Sequence, residues 1–146
     1  MMGITHIGIV LLLIRFLKLN LNSIQILILS IFSIVPDIDF SRSELGMIFK
    51  PISYKLEEEF GHRSITHSIL FILISFLISF PFSNFYSSLI LLAIGSHLIL
   101  DMLTYSGVKL LWPLNHRFVI FDGPVITGSA LDYLIGLSSI ILFLFV

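Results

Sequence analysis

The residues of this sequence that are able to do chemistry are mainly histidines and aspartates, and they fall in a few short clusters. Seven of them are candidate metal ligands: His6, Asp37, Asp39, His62, His67, His97 and Asp101. The chain has no cysteine, which excludes thiolate metal sites and disulfides. Imidazoles and carboxylates without sulfur are the ligands of catalytic zinc, manganese or iron. The set predicts a divalent metal centre, with zinc as the first choice and manganese or iron as alternatives.

The spacing within the clusters supports a shared site. His97 and Asp101 are four residues apart and therefore share one face of a helix. His62 and His67 are five apart, which suits one ligand just before a helix and another in its first turns. The two aspartates after Pro36 approach from a non-helical stretch, because proline disfavours helical backbone in the residue before it. Seven candidates exceed the three protein ligands typical of one catalytic metal, so one or two ions are predicted.

Three residues have predicted catalytic roles. A metal ion lowers the pKa of a bound water towards neutrality, and Asp37 or Asp39 is the candidate general base that takes the proton. Asp37 is favoured as the ligand of the two, because Pro36 fixes the backbone just before it. Arg63, which follows His62, is the candidate that neutralises an anionic substrate group such as a phosphate ester.

Each candidate also has a simpler interpretation. A single histidine such as His6 in a membrane helix is more often a hydrogen bond between helices than a ligand, since polar groups there are paired. Asp37 alone can be a turn residue after proline. His97 and Asp101 can be an imidazole and the carboxylate that orients it. The whole constellation nevertheless favours a metal or catalytic centre over the separate interpretations.

Three further polar residues are predicted to lie outside the site. Asp132 follows Ser129 by three positions and is typical of a capping box at a helix start. His116 comes shortly after Trp112 and Pro113, which indicates an interfacial surface position. Asp122 precedes a glycine and a proline, which is typical of a turn.

The elements that position these residues must be membrane helices. The chain has 146 residues, of which 57% are hydrophobic and 12% charged, and its mean hydropathy is +1.08. Ordinary soluble domains are about 45–50% apolar and about 25% charged. A soluble fold of this size cannot bury so much apolar surface, so a soluble enzyme is excluded. A net charge of −1 leaves no basic face for nucleic acid.

The predicted fold is an all-α integral membrane protein with a bundle of about five transmembrane helices in a single domain, residues 1–146. A membrane helix needs about 20 mostly apolar residues. The five predicted spans are residues 4–19, 21–35, 64–80, 85–103 and 130–146. Several are short, which implies tilted helices or a thin membrane. Two longer connections, residues 37–63 and 105–129, lie on the same side as the amino terminus.

The distribution of basic residues predicts which side faces the cytoplasm. The side with the two long connections carries six of the eight basic residues: Arg42, Lys50, Lys55, Arg63, Lys109 and Arg117. The opposite side carries only Arg15 and Lys18. The positive-inside rule therefore places the long connections in the cytoplasm. All seven candidate ligands lie at that end of the spans, which predicts an active site at the cytoplasmic surface of the inner or plasma membrane.

Short motifs in a fixed order carry a resemblance to a known family. They are Thr-His at 5–6, PDID at 36–39, HRSITHS at 62–68, and HLILDMLTYSG at 97–107 followed by LWP at 111–113. In this order the chain resembles the YdjM-like family of inner-membrane-associated proteins, which are grouped as metal-dependent hydrolases. The resemblance covers nearly the whole chain. It implies multi-pass membrane placement and a hydrolase activity, the latter through a likeness to zinc-dependent phospholipase C enzymes.

The sequence thus predicts a membrane-bound metal-dependent hydrolase that acts at the membrane surface on a small molecule or a lipid, such as a phosphoester or lipid-linked substrate. The alternative is a metal or proton transporter, or a metal-binding membrane protein, since His and Asp in spans also serve as relays. Transport sites usually lie near the bilayer midplane between inverted repeats. The candidate ligands lie at one end instead, and no repeat is visible, which favours the enzyme. The oligomeric state is left open.

Overall fold

The computed structural model describes residues 1–114 and 116–145, and these form an all-helical fold. The α-helices are α1 (Gly3–Phe16), α2 (Ser23–Phe32), α3 (Glu44–Ile48), α4 (Lys50–Phe60), α5 (Ile69–Ser79), α6 (Asn84–Met102) and α7 (Ala130–Phe145). Two 3₁₀ turns, Val35–Asp39 and Ile65–His67, precede α3 and α5. No β-strand forms within the described ranges, where pairing is limited to isolated bridges.

Local sequence explains where the helices near the site begin and end. Asn22 and Gln25 form a capping box that starts α2, since each side chain accepts a hydrogen bond from the other's backbone. Pro36 then stands at the start of the first 3₁₀ turn. Ser68 accepts a hydrogen bond from the backbone of Phe71 and caps α5. The predicted span 64–80 is therefore α-helical only from Ile69, because the capping residue has extended backbone.

The lengths of the helices give partial support to the predicted spans. Among the described residues one helix, α6, is long and apolar enough to cross a membrane, with 19 residues and a mean hydropathy of 1.6. The other predicted spans correspond to α1, α2, α5 and α7, which have 14, 10, 11 and 16 residues. At about 1.5 Å per residue these helices are shorter than a hydrocarbon core of about 30 Å.

The helix α6 forms the centre of the fold, and α1 packs against α7 beside it. Glycines allow the α1–α7 crossing to be close. A Cβ atom added to Gly8 would lie 2.6 Å from the carbonyl oxygen of Gly136. A Cβ on Gly136 would lie 2.9 Å from Oγ1 of Thr5. Small residues at such crossings are characteristic of helix packing in membranes.

Asp132 fastens the start of α7 to the start of α1. Its backbone N–H donates to Oγ of Ser129 at 3.3 Å, as the predicted cap requires. Its carboxylate, however, accepts from Met2 N at 2.9 Å, from Gly128 N at 2.9 Å and from Thr5 Oγ1 at 2.6 Å. The side chain is fully buried. This aspartate therefore joins two distant parts of the chain in addition to capping a helix.

The outer faces of the bundle are apolar. The helix α5 contains no buried residue, although it consists almost entirely of large apolar side chains and serine. Leu77 and Ile78 are each 65% exposed. Contiguous exposed apolar surface of this kind is unusual for a soluble monomer.

Candidate metal centre

Four buried side chains converge at one end of the bundle, and together they form what we term the four-ligand set. They are Asp37, His67, His97 and Asp101, and one ligand atom of each lies within 4.8 Å of all the others. The Nε2 atoms of His67 and His97 are 3.1 Å apart. Oδ1 of Asp37 lies 3.5 Å from the former and 3.6 Å from the latter. Oδ2 of Asp101 lies 3.5 Å and 3.9 Å from the same two atoms.

Three elements bring these residues together. Asp37 comes from the 3₁₀ turn after α2, and His67 ends the 3₁₀ turn before α5. His97 and Asp101 lie one turn apart on the buried face of α6. The helical spacing of the last pair is as the sequence predicts. The predicted non-helical stretch after Pro36 is wrong, because Asp37 lies in a 3₁₀ helix, whose first turn accepts the fixed φ of proline.

Hydrogen bonds fix the tautomer of His97. Its Nδ1 lies 2.7 Å from the carbonyl oxygen of Ser33. A carbonyl oxygen only accepts, so Nδ1 carries the hydrogen and the Nε2 of the neutral ring bears a lone pair. A backbone carbonyl behind a ring nitrogen is a common way to orient a metal-binding imidazole.

The tautomer of His67 follows from its neighbour Thr66. The Thr66 hydroxyl donates its single proton to Oδ2 of Asp39 at 2.5 Å. Its oxygen also lies 3.0 Å from Nδ1 of His67, so the ring is the donor in that contact. The lone pair of a neutral His67 is therefore on Nε2, and it faces the Nε2 lone pair of His97. Two lone pairs at this distance repel unless a shared proton or a metal ion lies between them, and the carboxylates of Asp37 and Asp101 beside the pair make the arrangement fit a divalent ion.

Polar atoms without partners surround the same point. Among the described residues, both ring nitrogens of His6 and Oδ2 of Asp101 are buried without a hydrogen bond. The His6 ring stacks on His97 with centroids 3.7 Å apart, and its Nε2 lies 3.4 Å from Oδ1 of Asp101. Unpaired buried polar atoms are costly, and a cation bound to the four-ligand set would relieve Oδ2 of Asp101, which belongs to it. His6 adjoins the four-ligand set but does not belong to it.

Asp39 and His62 occupy a different environment, although they adjoin the same histidine. Asp39 is fully buried, and its Oδ1 lies 2.7 Å from Nδ1 of His62. Its Oδ2 accepts from the backbone N–H of Arg63 at 3.0 Å, as well as from Thr66. Asp39, His62 and His67 also have ligand atoms within 4.8 Å of one another. An ion bound by Asp39 and His62 would need Nδ1 of His67 as a ligand. If a second ion were bound at Nε2 of the same ring, His67 would have to lose both of its ring protons.

Arg63 is held within the protein. It is 7% exposed and its Nε lies 2.9 Å from Oδ2 of Asp101, although the geometry is too poor for a hydrogen bond. Nη1 donates to Thr104 Oγ1 at 2.6 Å, and Nη2 donates to Thr127 Oγ1 at 3.2 Å. The amino group of Met1 also pairs with Asp101. This guanidinium thus compensates the charge of Asp101.

The Arg63 backbone has a φ of +60°, a left-handed conformation that is uncommon outside glycine and is often found at functional sites. The threonine contacts could be anticipated only in part. Thr104 shares the helical spacing of His97 and Asp101, whereas Thr127 lies 64 residues from Arg63 and has no motif around it.

Both aspartates of the PDID segment are held in the charged form. Burial alone would raise the pKa of Asp37, but the imidazoles of His97 and His67 outweigh it and hold that pKa well below its usual range. Burial likewise opposes ionisation of Asp39, and His67 and His62 together hold its pKa well below the usual range. Both carboxylates are therefore available as anionic ligands or acceptors at neutral pH.

A small cavity, the access pocket, leads to the four-ligand set. Its volume is about 220 Å³, and Asp37, His62 and Arg63 line it together with Arg42 and Glu44. A larger cavity of about 700 Å³ lies elsewhere, along residues 9–19, and none of the candidate ligands lines it. The access pocket is therefore the cavity that matters for chemistry at the centre.

The polar residues that the sequence excludes from the site do lie outside it. His116 is exposed. Asp122 is exposed in a turn and has a φ of +57°. Asp132 is bound to the start of α1 by the contacts described above. Of the seven predicted ligands, the structure brings four into one set, places His6 beside it, and pairs Asp39 with His62.

Comparison with known proteins places the chain in a family. The model of the YdjM inner membrane protein family matches residues 1–145. The chain is 41% identical over 88 residues to the uncharacterized protein YvsG of Bacillus subtilis (strain 168), covering 58% of this chain and 54% of that protein. It is 41% identical over 92 residues to the inner membrane protein YdjM of Escherichia coli (strain K12), covering 58% and 47%.

The same identity and coverage hold for the inner membrane protein YdjM of Shigella flexneri. The chain spans about half the length of these curated relatives. No solved structure matches it. The family match extends over all the motifs that carry the candidate ligands, and the chain belongs to the YdjM inner membrane protein family.

Proposed function

We propose that this protein is a membrane-bound metal-dependent hydrolase whose four-ligand set binds one divalent ion, with zinc as the first choice. The observation that carries the proposal is the pair of Nε2 atoms of His67 and His97, which face each other at 3.1 Å between two carboxylates. Two imidazoles and one carboxylate are the protein ligands of known catalytic zinc and iron sites, so His67, His97 and Asp101 are sufficient to hold the ion, and Asp37 is the member of the set that faces the access pocket. The centre lies beside an access pocket, which suits catalysis better than a closed structural site.

The proposed setting is the cell membrane, crossed several times. The exposed apolar surfaces of α5 and α7 support it, and so does the similarity to two proteins named inner membrane protein YdjM. The five predicted spans would be α1, α2, α5, α6 and α7. Tilt, one of the adjustments expected for short spans, would shorten the reach of the four shorter helices further, so these helices would have to tilt little and the bilayer would have to thin around them. The distribution of basic residues supports a centre on the cytoplasmic side.

The proposed reaction is hydrolysis of a phosphoester. The oxygen of a water molecule bonds to phosphorus as the water gives up a proton, the ester P–O bond breaks, and the leaving alkoxide takes up a proton and departs as the alcohol. A bound divalent ion would supply Lewis acidity that makes water a nucleophile at neutral pH.

Asp37, Asp39 and Arg63 have different proposed roles in this reaction. Asp37 lines the access pocket, so it is the aspartate placed to accept the proton of an entering water. Asp39 has hydrogen-bond donors on both oxygens, and its role is to orient His62 and His67. Arg63 neutralises Asp101 directly, and any effect of this arginine on an anionic substrate acts over a longer distance.

The decisive experiment combines metal analysis with an assay of the detergent-purified protein. Wild type should contain about one equivalent of metal and hydrolyse bis(p-nitrophenyl) phosphate. His97→Ala should lose both properties, because the loss of a ligand bond removes metal affinity. His116→Ala is the matched control, since this exposed histidine contacts none of the set, and it should retain both. Equal metal content in all three proteins would refute the metal assignment, and metal without hydrolysis in wild type would refute this reaction.

A further inference from the structure

His6 is a buried histidine to which the four-ligand set gives no role. Its side chain is fully buried, and neither of its ring nitrogens has a hydrogen-bond partner among the described residues. Polar atoms that are buried without a partner are costly. An ion bound by the four-ligand set does not relieve this cost, because His6 lies outside that set. The unpaired nitrogens therefore indicate a separate partner.

The orientation of the His6 ring indicates where that partner would lie. The ring stacks on His97, with 3.7 Å between the centroids and 14° between the two planes. Both rings turn Nε2 towards the carboxylate of Asp101. Nε2 of His6 lies 3.4 Å from Oδ1, and Nε2 of His97 lies 3.9 Å from Oδ2. The two stacked imidazoles thus face the two oxygens of one carboxylate.

Two stacked imidazoles cannot bind the same ion, because a ring nitrogen binds a metal in the plane of its own ring. The planes of His6 and His97 are nearly parallel and 3.7 Å apart, so an ion in the plane of His97 lies well outside the plane of His6. An ion bound by His6 would therefore be a second one, separated from the first by about the spacing of the rings. Ions in two-metal sites are about 3.5–4 Å apart, which matches this spacing.

The carboxylate of Asp101 is placed to bridge two ions. Its Oδ2 faces the histidines of the four-ligand set, and its Oδ1 faces His6. Each oxygen already has a positive group beside it, which is the guanidinium of Arg63 at Oδ2 and the amino group of Met1 at Oδ1. Met1 also lines the access pocket. An ion that replaces the amino group at Oδ1 can therefore enter from the pocket together with water.

We propose that Nε2 of His6 and Oδ1 of Asp101 bind a second divalent ion, which Asp101 bridges to the ion of the four-ligand set. This inference rests on the proposed function, because the first ion belongs to the centre described there. The second site has fewer protein ligands than the first and is completed by water, so it fills only when metal is added to the purified protein. Two ions at this spacing stabilise both the attacking and the leaving oxygen of a phosphoester displacement.

Titration with Mn²⁺ tests both the number of ions and their separation. The ion is added to the metal-free, detergent-purified chain, and electron paramagnetic resonance measures the free and the bound Mn²⁺. Wild type should bind two equivalents, the second more weakly than the first. The two-ion form should give the spectrum of an exchange-coupled pair, which requires ions only a few ångströms apart. Uptake of a single equivalent at millimolar Mn²⁺, or two bound ions without coupling, would overturn the proposal.

His6→Phe separates metal binding from packing. Phenylalanine keeps a ring that can stack on His97 but has no nitrogen, so the variant should lose the second equivalent and the coupled spectrum while it keeps the first. His116→Phe makes the same change at an exposed histidine and is the matched control, which should bind both ions. His6→Leu is measured alongside, with melting temperatures, so that one unstable protein does not decide the result. Two coupled ions in a folded His6 variant would overturn the proposal.

The two proposals fail in different ways. If only the second site is wrong, wild type binds one ion, which is lost in His97→Ala and kept in His6→Phe. If the metal assignment of the four-ligand set is wrong, wild type takes up no metal or its metal content does not respond to His97→Ala, and both proposals are overturned together.

Discussion

Asp37 and Asp39 are two residues apart in the same 3₁₀ turn, yet the fold gives them different environments. Asp37 presents Oδ1 to the Nε2 atoms of two histidines and lines the access pocket. Asp39 is surrounded by donors, which are the ring of His62, the backbone of Arg63 and the hydroxyl of Thr66. A carboxylate whose oxygens are already saturated has little to offer a metal ion. Sequence spacing does not distinguish these two aspartates. The comparison teaches that the number of hydrogen-bond donors around each carboxylate separates a candidate ligand from an orienting carboxylate.

The largest effect is expected for Asp37→Asn. The amide keeps the shape of the side chain but cannot take a proton. Turnover of metal-saturated enzyme should fall by roughly two to four orders of magnitude, the usual size of a general-base contribution, and metal affinity should fall as well. Metal titration followed by the phosphoester assay measures both. Full activity and full affinity would remove the distinction between the two aspartates.

Arg63→Met tests the ion pair that balances the charge of Asp101, next to the two aspartates. Removal of the guanidinium leaves Asp101 with one fewer buried partner, and breaking such a pair costs about 3–5 kcal/mol of stability. Reversible unfolding in mixed micelles measures the difference. Arg42→Met is the matched control, because that arginine is exposed, and it should change stability by less than about 0.5 kcal/mol. Similar values for the two variants would mean that Arg63 is not bound as the structure shows.

Asp39→Asn should have a smaller effect of a different kind. Loss of an orienting carboxylate typically weakens metal affinity about 10- to 100-fold. At saturating metal the variant should recover most of the wild-type turnover, which Asp37→Asn should not. If excess metal fails to rescue Asp39→Asn, this aspartate takes part in chemistry and the contrast between the two residues is wrong.

The pH dependence sharpens the comparison further. The folded-state pKa of Asp39 is lowered from its ordinary value of 3.8, so its contribution to stability is fully present above that value and is lost as the pH falls through the folded pKa. Metal release on acidification should therefore follow protonation of the ligand imidazoles and not of Asp39. Melting curves of metal-free wild type from pH 6 to pH 3 should show little loss attributable to Asp39 until below pH 4. An Asp39-dependent loss near pH 5 would contradict the assignment.

The smallest effect concerns the capping of α7. Ser129→Ala removes the acceptor for the backbone N–H of Asp132 and should cost about 1 kcal/mol. Ser138→Ala is the control, because its hydroxyl only donates to a carbonyl within the same helix. Neither change should alter metal content. A loss of metal in Ser129→Ala would show that the α1–α7 junction controls the centre.

The residue types and local spacings were sufficient to predict the cluster of His and Asp side chains and much of the helical framework. His97 and Asp101 had to share a face because four residues make about one helical turn. Pro36 had to keep α2 from running on into the aspartates, although α2 already ends at Phe32 and Pro36 begins a 3₁₀ helix. The capping role at the start of α7 followed equally from short-range backbone chemistry. Such features depend on neighbours within a few positions, so the sequence alone determines them.

The assignment of roles within the site came only from the tertiary structure. The two imidazole nitrogens of His67 and His97 meet across 30 residues of chain, and the carbonyl behind His97 comes from Ser33, 64 residues away. An arginine is a residue type that often binds anionic substrates. In this fold, however, Arg63 contacts Thr104, Thr127 and Asp101, which are distant in the sequence. Whether a lone pair is free or already bound depends on donors that folding brings from elsewhere in the chain, and no local spacing encodes that.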